Sequence, residues 1–285
     1  MKRNLNIIID KVRVQGNGAI LLIGPSGCGK GEVAKALCNF LSIPQERHLS
    51  MGDILRRTIT KANQNEEFKC TLGERYKISS NVSIFDKGKN TPEVIKKSES
   101  YYNDIVIFLG LHTNAISQFH WLEFCVGNGL LIPEQWAASI ISALLESTPE
   151  LREGVFILDG YPRTEVAAEK LLNTFQNLNI SIIKVLHLFI RKEHMKARAY
   201  NRTRIDDTED SLERRYEFNL ENVQPCVDYL KRYLGRNLVS LVDAHQPVYN
   251  ENGRLKVEES IEKVVNNVLE ELGIPTFLMN SSHST

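Results

Sequence analysis

Ala19-Ile20-Leu21-Leu22-Ile23-Gly24-Pro25-Ser26-Gly27-Cys28-Gly29-Lys30-Gly31 is the stretch on which the reading of this chain turns. An unbroken apolar run enters a turn punctuated by glycines, and beyond Lys30 the residues Val33, Ala34, Leu37 and Phe40 recur at helical spacing. The pattern predicts a buried strand joined by a glycine-rich loop to a helix. Such a loop cradles phosphate. Glycines let backbone amides converge on oxyanions, the helix N-terminus adds partial positive charge, and Lys30 supplies a mobile ammonium. Gly24 to Gly31 therefore form a candidate nucleotide-phosphate site, the plain alternative being a structural turn with a solvated lysine. Gly31 stands where the motif commonly carries Ser or Thr.

Outward from that loop, apolar runs recur at 154–158, 182–189 and 238–242, separated by helical patterning. Helices are expected over 52–62, 134–146, 164–177, 192–201, 208–233 and 257–272. Strands alternating with helices imply right-handed crossovers and a parallel sheet covered on both faces, hence a three-layer α/β domain. Between Arg57 and Ser117 the periodicity dissolves into polar sequence broken by Val82–Phe85 and Asp104–Leu109, which reads as an insertion with two strands of its own. The boundaries expected are a first core segment 1–50, an insertion-bearing subdomain 51–128, a second core segment 129–275 and a disordered tail 276–285.

The 285 residues balance 35 basic against 35 acidic side chains, which argues against a general binder of nucleic acid or of membrane surfaces. The five cysteines form no C-x-x-C pair, so neither a disulfide framework nor a zinc site is expected. Cys28 reads as a small space-filler, with oxidation inside the phosphate loop as its sharper alternative. No apolar stretch is long enough to cross a bilayer and the first residues lack a secretory signal, which points to a soluble cytoplasmic protein; Lys2, Arg3, Lys11 and Arg13 leave an organellar matrix as the alternative. His48, His112, His120, His187, His194 and His245 show no metal-ligand spacing and are read as packed or solvated imidazoles.

Three further segments suit phosphate chemistry. Ser50-Met51-Gly52-Asp53-Ile54-Leu55-Arg56 begins a helix, with Ser50 as a candidate N-cap and Gly52 permitting close approach of a ligand. Leu158-Asp159-Gly160-Tyr161-Pro162-Arg163-Thr164 sets a carboxylate at the carboxyl end of a buried strand, where ligands gather in open parallel sheets, and there Asp159 can orient magnesium or its waters. Its plainer role is to cap the next helix. Arg198 and Arg202 lie one helical turn apart, Arg204 follows, and Arg215 comes after Asp206-Asp207; four guanidiniums could converge on one cleft, or form a solvated charged face.

Taken together, Gly24–Gly31, Ser50–Arg56, Gly129–Glu134, Leu158–Thr164, Arg198–Asp207 and Arg215 resemble the adenylate kinase family of nucleoside monophosphate kinases. The resemblance implies a three-layer P-loop kinase fold with a parallel sheet and an enlarged acceptor-binding insertion, moving the γ-phosphoryl group of MgATP to a nucleoside monophosphate, AMP in the first instance. It implies that Gly24, Pro25, Ser26, Gly27, Cys28, Gly29, Lys30, Gly31, Glu32, Arg198, Arg202 and Ala244 hold ATP. Ser50, Met51, Gly52, Arg56, Ile132, Gly160, Arg163, Ala167, Arg204 and Arg215 would hold the monophosphate. Lys30, Arg163, Arg202, Arg204 and Arg215 would stabilise the transferring group, and Asp159 would organise Mg2+ through water.

Four departures from the family pattern carry expectations of their own. Glu32 replaces a threonine and is expected to point away from the phosphates. Met51 and Ala167 replace polar residues of the acceptor-base pocket, Ala167 standing where many members have the glutamine that reads adenine, so discrimination between bases should relax. Only Thr203 separates Arg202 from Arg204, where the family carries a lid, so more ATP hydrolysis without acceptor is expected. The 58–117 insertion is either surface ornament or a cover or protein-docking element using Tyr76, Phe85, Tyr101, Tyr102 and Phe108. The rival readings of the whole are a nucleotide-binding regulatory protein of the same fold that turns over weakly, and a kinase for another nucleoside monophosphate.

Overall fold

The computed structural model describes residues 12, 14, 16–25, 27–110, 115–200, 213 and 216–274, with the backbone alone for 197–200. In chain order its elements are β1 (Gly18–Ile23), α1 (Lys30–Phe40), β2 (His48–Ser50), α2 (Met51–Gln64), α3 (Glu66–Tyr76), α4 (Pro92–Ser100), α5 (Tyr102–Leu109), α6 (Gln118–Gly127), α7 (Glu134–Ser147), β3 (Val155–Asp159), α8 (Glu165–Asn177), β4 (Ile182–Phe189), α9 (Lys192–Tyr200), α10 (Gln224–Leu234), β5 (Val239–Asp243) and α11 (Val257–Glu271). Two compact units result, one from the described parts of 1–51 and 148–285, the other from those of 52–147.

Among the described residues of the first unit five strands run parallel in the order β2-β3-β1-β4-β5. β1 is buried along its whole length, as a central parallel strand covered on both faces must be, and this explains its lack of alternation. Ile20, Leu22, Leu186 and Leu188 pack with Val33 and Leu37 of α1 and Val265 and Val268 of α11 on one face. On the other face Phe156 meets Phe175 of α8 edge-on, with ring centroids 6.0 Å apart, and α8 packs along α10. Each such fully buried Leu or Phe contributes about 2 kcal/mol.

Four strands lie where the apolar runs put them. β2 was not expected: three residues with polar ends carry no period, and their strand character comes from pairing Leu49 with Leu158. The helix expected over 208–233 falls partly outside the described residues; its described part passes through a wide-turned segment, Asn219–Val223, into α10.

The second unit corrects two readings. Among its described residues every regular element is a helix, joined by turns and loops with one isolated bridge between Ser83 and Ser117, so Val82–Phe85 forms no strand, and Asp104–Leu109 lies in α5. A short apolar run does not declare its own period; here Gly110 closes the helix in the left-handed conformation at φ 60°, and Ile105 is buried while Ile107 is 79% exposed. Helices α3 and α4, where the sequence showed no period, and α6, which was not expected, are capped by Asn65, Thr91 and Ser117, whose side chains accept from the backbone amides of Phe68, Val94 and His120. The unit also runs on to Ser147, past the expected boundary at 128, because α7 packs on α3. Among the aromatics read as a cover or docking face, Tyr101 packs against Trp121 and Phe124, Phe85 against Tyr102, and Phe108 edge-on against Phe124.

Candidate active site

The glycine-rich loop leaves β1 and enters α1 as its sequence dictates. Gly24 has φ 152°, and a Cβ there would lie 2.2 Å from the Leu188 carbonyl oxygen, so only glycine lets the chain pass this close to β4. Gly29 takes the left-handed conformation (φ 96°, ψ 14°) as the N-cap of α1, and its carbonyl accepts from the amides of Glu32 and Val33. The Lys30 ammonium donates to the carbonyl oxygens of Gly24 and Pro25 at 2.9 and 2.8 Å and lies 3.8 Å from the sulfur of Cys28. Lys30 is therefore already drawn over the loop by the carbonyls that surround it. Cys28 is buried, as its space-filling reading expects. Glu32 is half-exposed and accepts from Lys35 Nζ at 3.2 Å, which turns its charge along the helix surface. Ser26 lies outside the described residues.

β3 delivers the next group. Asp159 pairs in register with Leu22, two residues before the loop, and Gly160 N donates to the Leu22 carbonyl at 2.9 Å. The Asp159 carboxylate is nearly buried and lies 3.4 Å from Nε2 of His48 on β2. It does not cap α8: Thr164 does, accepting from Ala167 N. Arg163 Nε donates to the Gly160 carbonyl at 2.7 Å, folding the guanidinium back over the Gly160–Arg163 turn. Ser50 ends β2 opposite Asp159, and Met51 opens α2 with its Cβ 4.0 Å from where a Gly160 Cβ would stand. Met51 and Ala167 are both buried, and both are apolar.

On the other side of the loop stand α9 and the segment after β5. A Cβ on Gly27 would lie 3.7 Å from Met195 Cγ, which places α9 directly over the phosphate loop. Next to Met195, His194 stacks on His245, with ring centroids 3.5 Å apart and planes at 17°. His245 follows Ala244, which is buried and donates its amide to the Phe189 carbonyl at 2.9 Å. Lys192 and Lys196 both pair with Glu213, whose hydrogen bonds from them hold its carboxyl below the usual range. Arg198 sits on the backbone of α9, with its side chain outside the described residues, as are Arg202, Arg204 and Arg215 altogether.

In the second unit Gly52 and Arg56 lie on the first turns of α2, where Arg56 pairs with Asp53 at 2.5 Å. Asp53 and Arg56 are well exposed and line a surface hollow with Arg57, Thr60, Lys61 and Gln64. Ile132 is half-buried just before α7.

Behind the loop, His187 of β4 is 3% exposed, and neither ring nitrogen has a hydrogen-bond partner among the described residues. Burial pushes its imidazole down to about 4; Lys231 and Lys30 push the same way and Asp228 opposes them. Sequence reasoning set all the histidines aside because it sought metal spacing. His48 meets Asp159 across 111 positions and His194 meets His245 across 51, separations that leave no local signal.

A glycine-rich loop with an inward lysine, an aspartate on the neighbouring strand and an arginine beyond its turn, all at the carboxyl edge of one parallel sheet, define a P-loop phosphotransferase. The adenylate kinase family model matches residues 119–234. Relatives include the adenylate kinase of Alkaliphilus oremlandii, 25% identical over 260 residues covering 80% of this chain and 92% of that protein. That of Trichodesmium erythraeum is 23% identical over 244 residues, 84% of this chain and 96% of that protein, and adenylate kinase 1 of Nostoc sp. is 27% identical over 210 residues, 74% and 83%. These similarities to adenylate kinases support a nucleoside monophosphate kinase, an enzyme that transfers phosphate between ATP and a nucleoside monophosphate. Among the described residues, no helix is long and apolar enough to cross a membrane.

Proposed function

We propose that the enzyme moves the γ-phosphoryl group of MgATP to AMP, giving two molecules of ADP. The observation that carries this reading is the position of the phosphate loop at the middle of the sheet edge, with Asp159, Gly160 and Arg163 on the β3 side and α9 with Ala244 on the β4 and β5 side. Two nucleotides can then approach from opposite flanks with their phosphates meeting at Lys30. In this assignment the loop amides and Lys30 grip the donor phosphates, with Arg198, Arg202 and Ala244 toward the donor base. Ser50, Met51, Gly52, Arg56, Ile132, Gly160, Arg163 and Ala167 bind the acceptor, and Arg204 and Arg215 join Arg163 and Arg202 around the transferring group. The attacking phosphate oxygen is already ionised, so no general base is needed; alignment and charge neutralisation carry the rate.

A magnesium ion fits the residues present. Among the described residues no cluster of three or more His, Cys, Asp or Glu could cage a metal, whereas Asp159 is a nearly buried carboxylate at the phosphate edge. One carboxylate acting through water, with the phosphates supplying the remaining oxygens, is how this hard cation is commonly held. Bound there, magnesium would neutralise charge on the β- and γ-phosphates. We place the enzyme in the cytoplasm, where both nucleotides are at hand.

The test is ADP formation in a coupled assay with AMP, GMP, CMP, UMP and dAMP as acceptors. AMP is expected to give the highest kcat/KM, with reduced discrimination because Met51 and Ala167 provide no polar contact of their own side chains. Preference for another monophosphate would replace the acceptor, and absence of turnover with all of them would favour the regulatory reading.

A further inference from the structure

We propose that His48 is a positioning residue of the phosphoryl-transfer site, its Nε2–H holding one oxygen of the Asp159 carboxylate and leaving the other for the water shell of the nucleotide-bound metal. The inference rests on the reading of Asp159 given above. β2 runs parallel to β3 with His48 opposite Ile157 and Ser50 opposite Asp159, so positions 48 and 159 are diagonal neighbours on adjacent strands. The contact, Nε2 to Oδ2, spans 3.4 Å, and the two side chains are only 11% and 10% exposed. A carboxylate so nearly buried requires a partner, and among the described residues His48 is the one side chain that supplies it.

The consequence is orientational. A lone carboxylate at a strand end samples several rotamers and must be ordered when the hydrated metal arrives; one already tied through Oδ2 has less freedom to lose. β2 is only three residues long, and its place at the end of the sheet brings His48 to Asp159 from 111 residues away. The strand that sequence periodicity missed thereby acquires a task in the site: it carries the imidazole that orients the carboxylate.

The experiment compares, by calorimetry, the binding of the non-hydrolysable ATP analogue AMPPNP with and without magnesium, and takes the ratio of the two affinities. Three variants of the full chain are measured beside the unaltered protein: His48→Leu, which fills the space without a donor, His48→Gln, which keeps an N–H donor, and Asp159→Asn. His48→Leu is expected to lower the magnesium-dependent ratio by about tenfold, as loss of an outer partner of a metal-facing ligand does, with metal-free AMPPNP affinity unchanged and His48→Gln restoring most of the ratio. Should His48→Leu not fold, His48→Ala, which admits water beside the carboxylate, carries the same expectation. If Asp159→Asn leaves the ratio intact, the reading of Asp159 falls and the role of His48 falls with it. If Asp159→Asn collapses the ratio while the histidine variants do not change it, Asp159 stands and the positioning role is overturned. Equal losses in His48→Leu and His48→Gln that follow a lowered Tm would reduce the contact to strand packing and overturn the proposal as well.

Discussion

Lowering the pH should weaken this fold through one imidazole in particular, and His187→Leu should remove that weakness. His187 is 3% exposed on β4 and has no hydrogen-bond partner among the described residues, so it is held neutral; burial first, then Lys231 and Lys30 against Asp228, bring it from 6.5 down to about 4. In the unfolded chain the same ring takes up its proton near its ordinary value. Between 6.5 and about 4 the unfolded state therefore binds more protons than the native one, and stability falls as the pH is lowered through that window. Above the window the effect is absent, and below it both states are protonated and the loss levels off. Each pH unit costs about 1.4 kcal/mol, so the full loss is about 3 kcal/mol, a sizeable share of a typical domain's stability. Urea denaturation of the unaltered protein and of His187→Leu, at several values from about pH 7.5 down to about pH 4.5, isolates this contribution, because every carboxylate common to the two proteins cancels in the difference. The variant should gain about 2–3 kcal/mol relative to the unaltered protein across that range. A difference that does not change with pH would refute the reasoning, since it would mean that the ring is protonated as readily in the fold as outside it.

Lys30→Ala and Arg163→Ala should each lower kcat by about three orders of magnitude in the coupled ADP assay, as the loss of a cation at a transferring phosphoryl group does, while Tm holds. Retained turnover would displace that residue from the site. With Thr203 alone between Arg202 and Arg204, phosphate release from ATP without acceptor should be a measurable fraction of the transfer rate; negligible release would show that water is excluded by other means. Ala167→Gln, which adds an amide at a buried apolar position, should raise the kcat/KM preference for AMP over GMP and CMP by about tenfold, and an unchanged preference would remove position 167 from the base pocket. Gly24→Ala, whose Cβ would meet the Leu188 carbonyl oxygen at 2.2 Å, should destabilise the fold by at least about 2 kcal/mol, read from the urea midpoint.

Some of this molecule could be read along the chain because its signals are local. The run from Ala19 to Lys30 announces a buried strand, a phosphate loop and a helix within a dozen residues, and Leu158–Thr164 announces a carboxylate and an arginine at a strand end, since backbone freedom, burial and charge are all spoken for by neighbours. The apolar runs likewise declared four of the five strands among the described residues. The insertion was misread where the sequence carries no periodic hint: α3 and α4 are set by their caps, and Asp104–Leu109 became a helix with Ile105 buried and Ile107 exposed.

What the sequence by itself determined is the chemistry on offer: a phosphate loop, a carboxylate, arginines, and a parallel sheet to carry them. The tertiary structure alone decided which distant residues meet, setting His48 beside Asp159, His194 against His245, Met195 against Gly27 and His187 in a buried layer behind the loop. The reason is physical. Motifs are written in torsion preferences and spacing within a few residues, whereas partnership across 50 or 100 positions depends on sheet order and register, which no short stretch encodes.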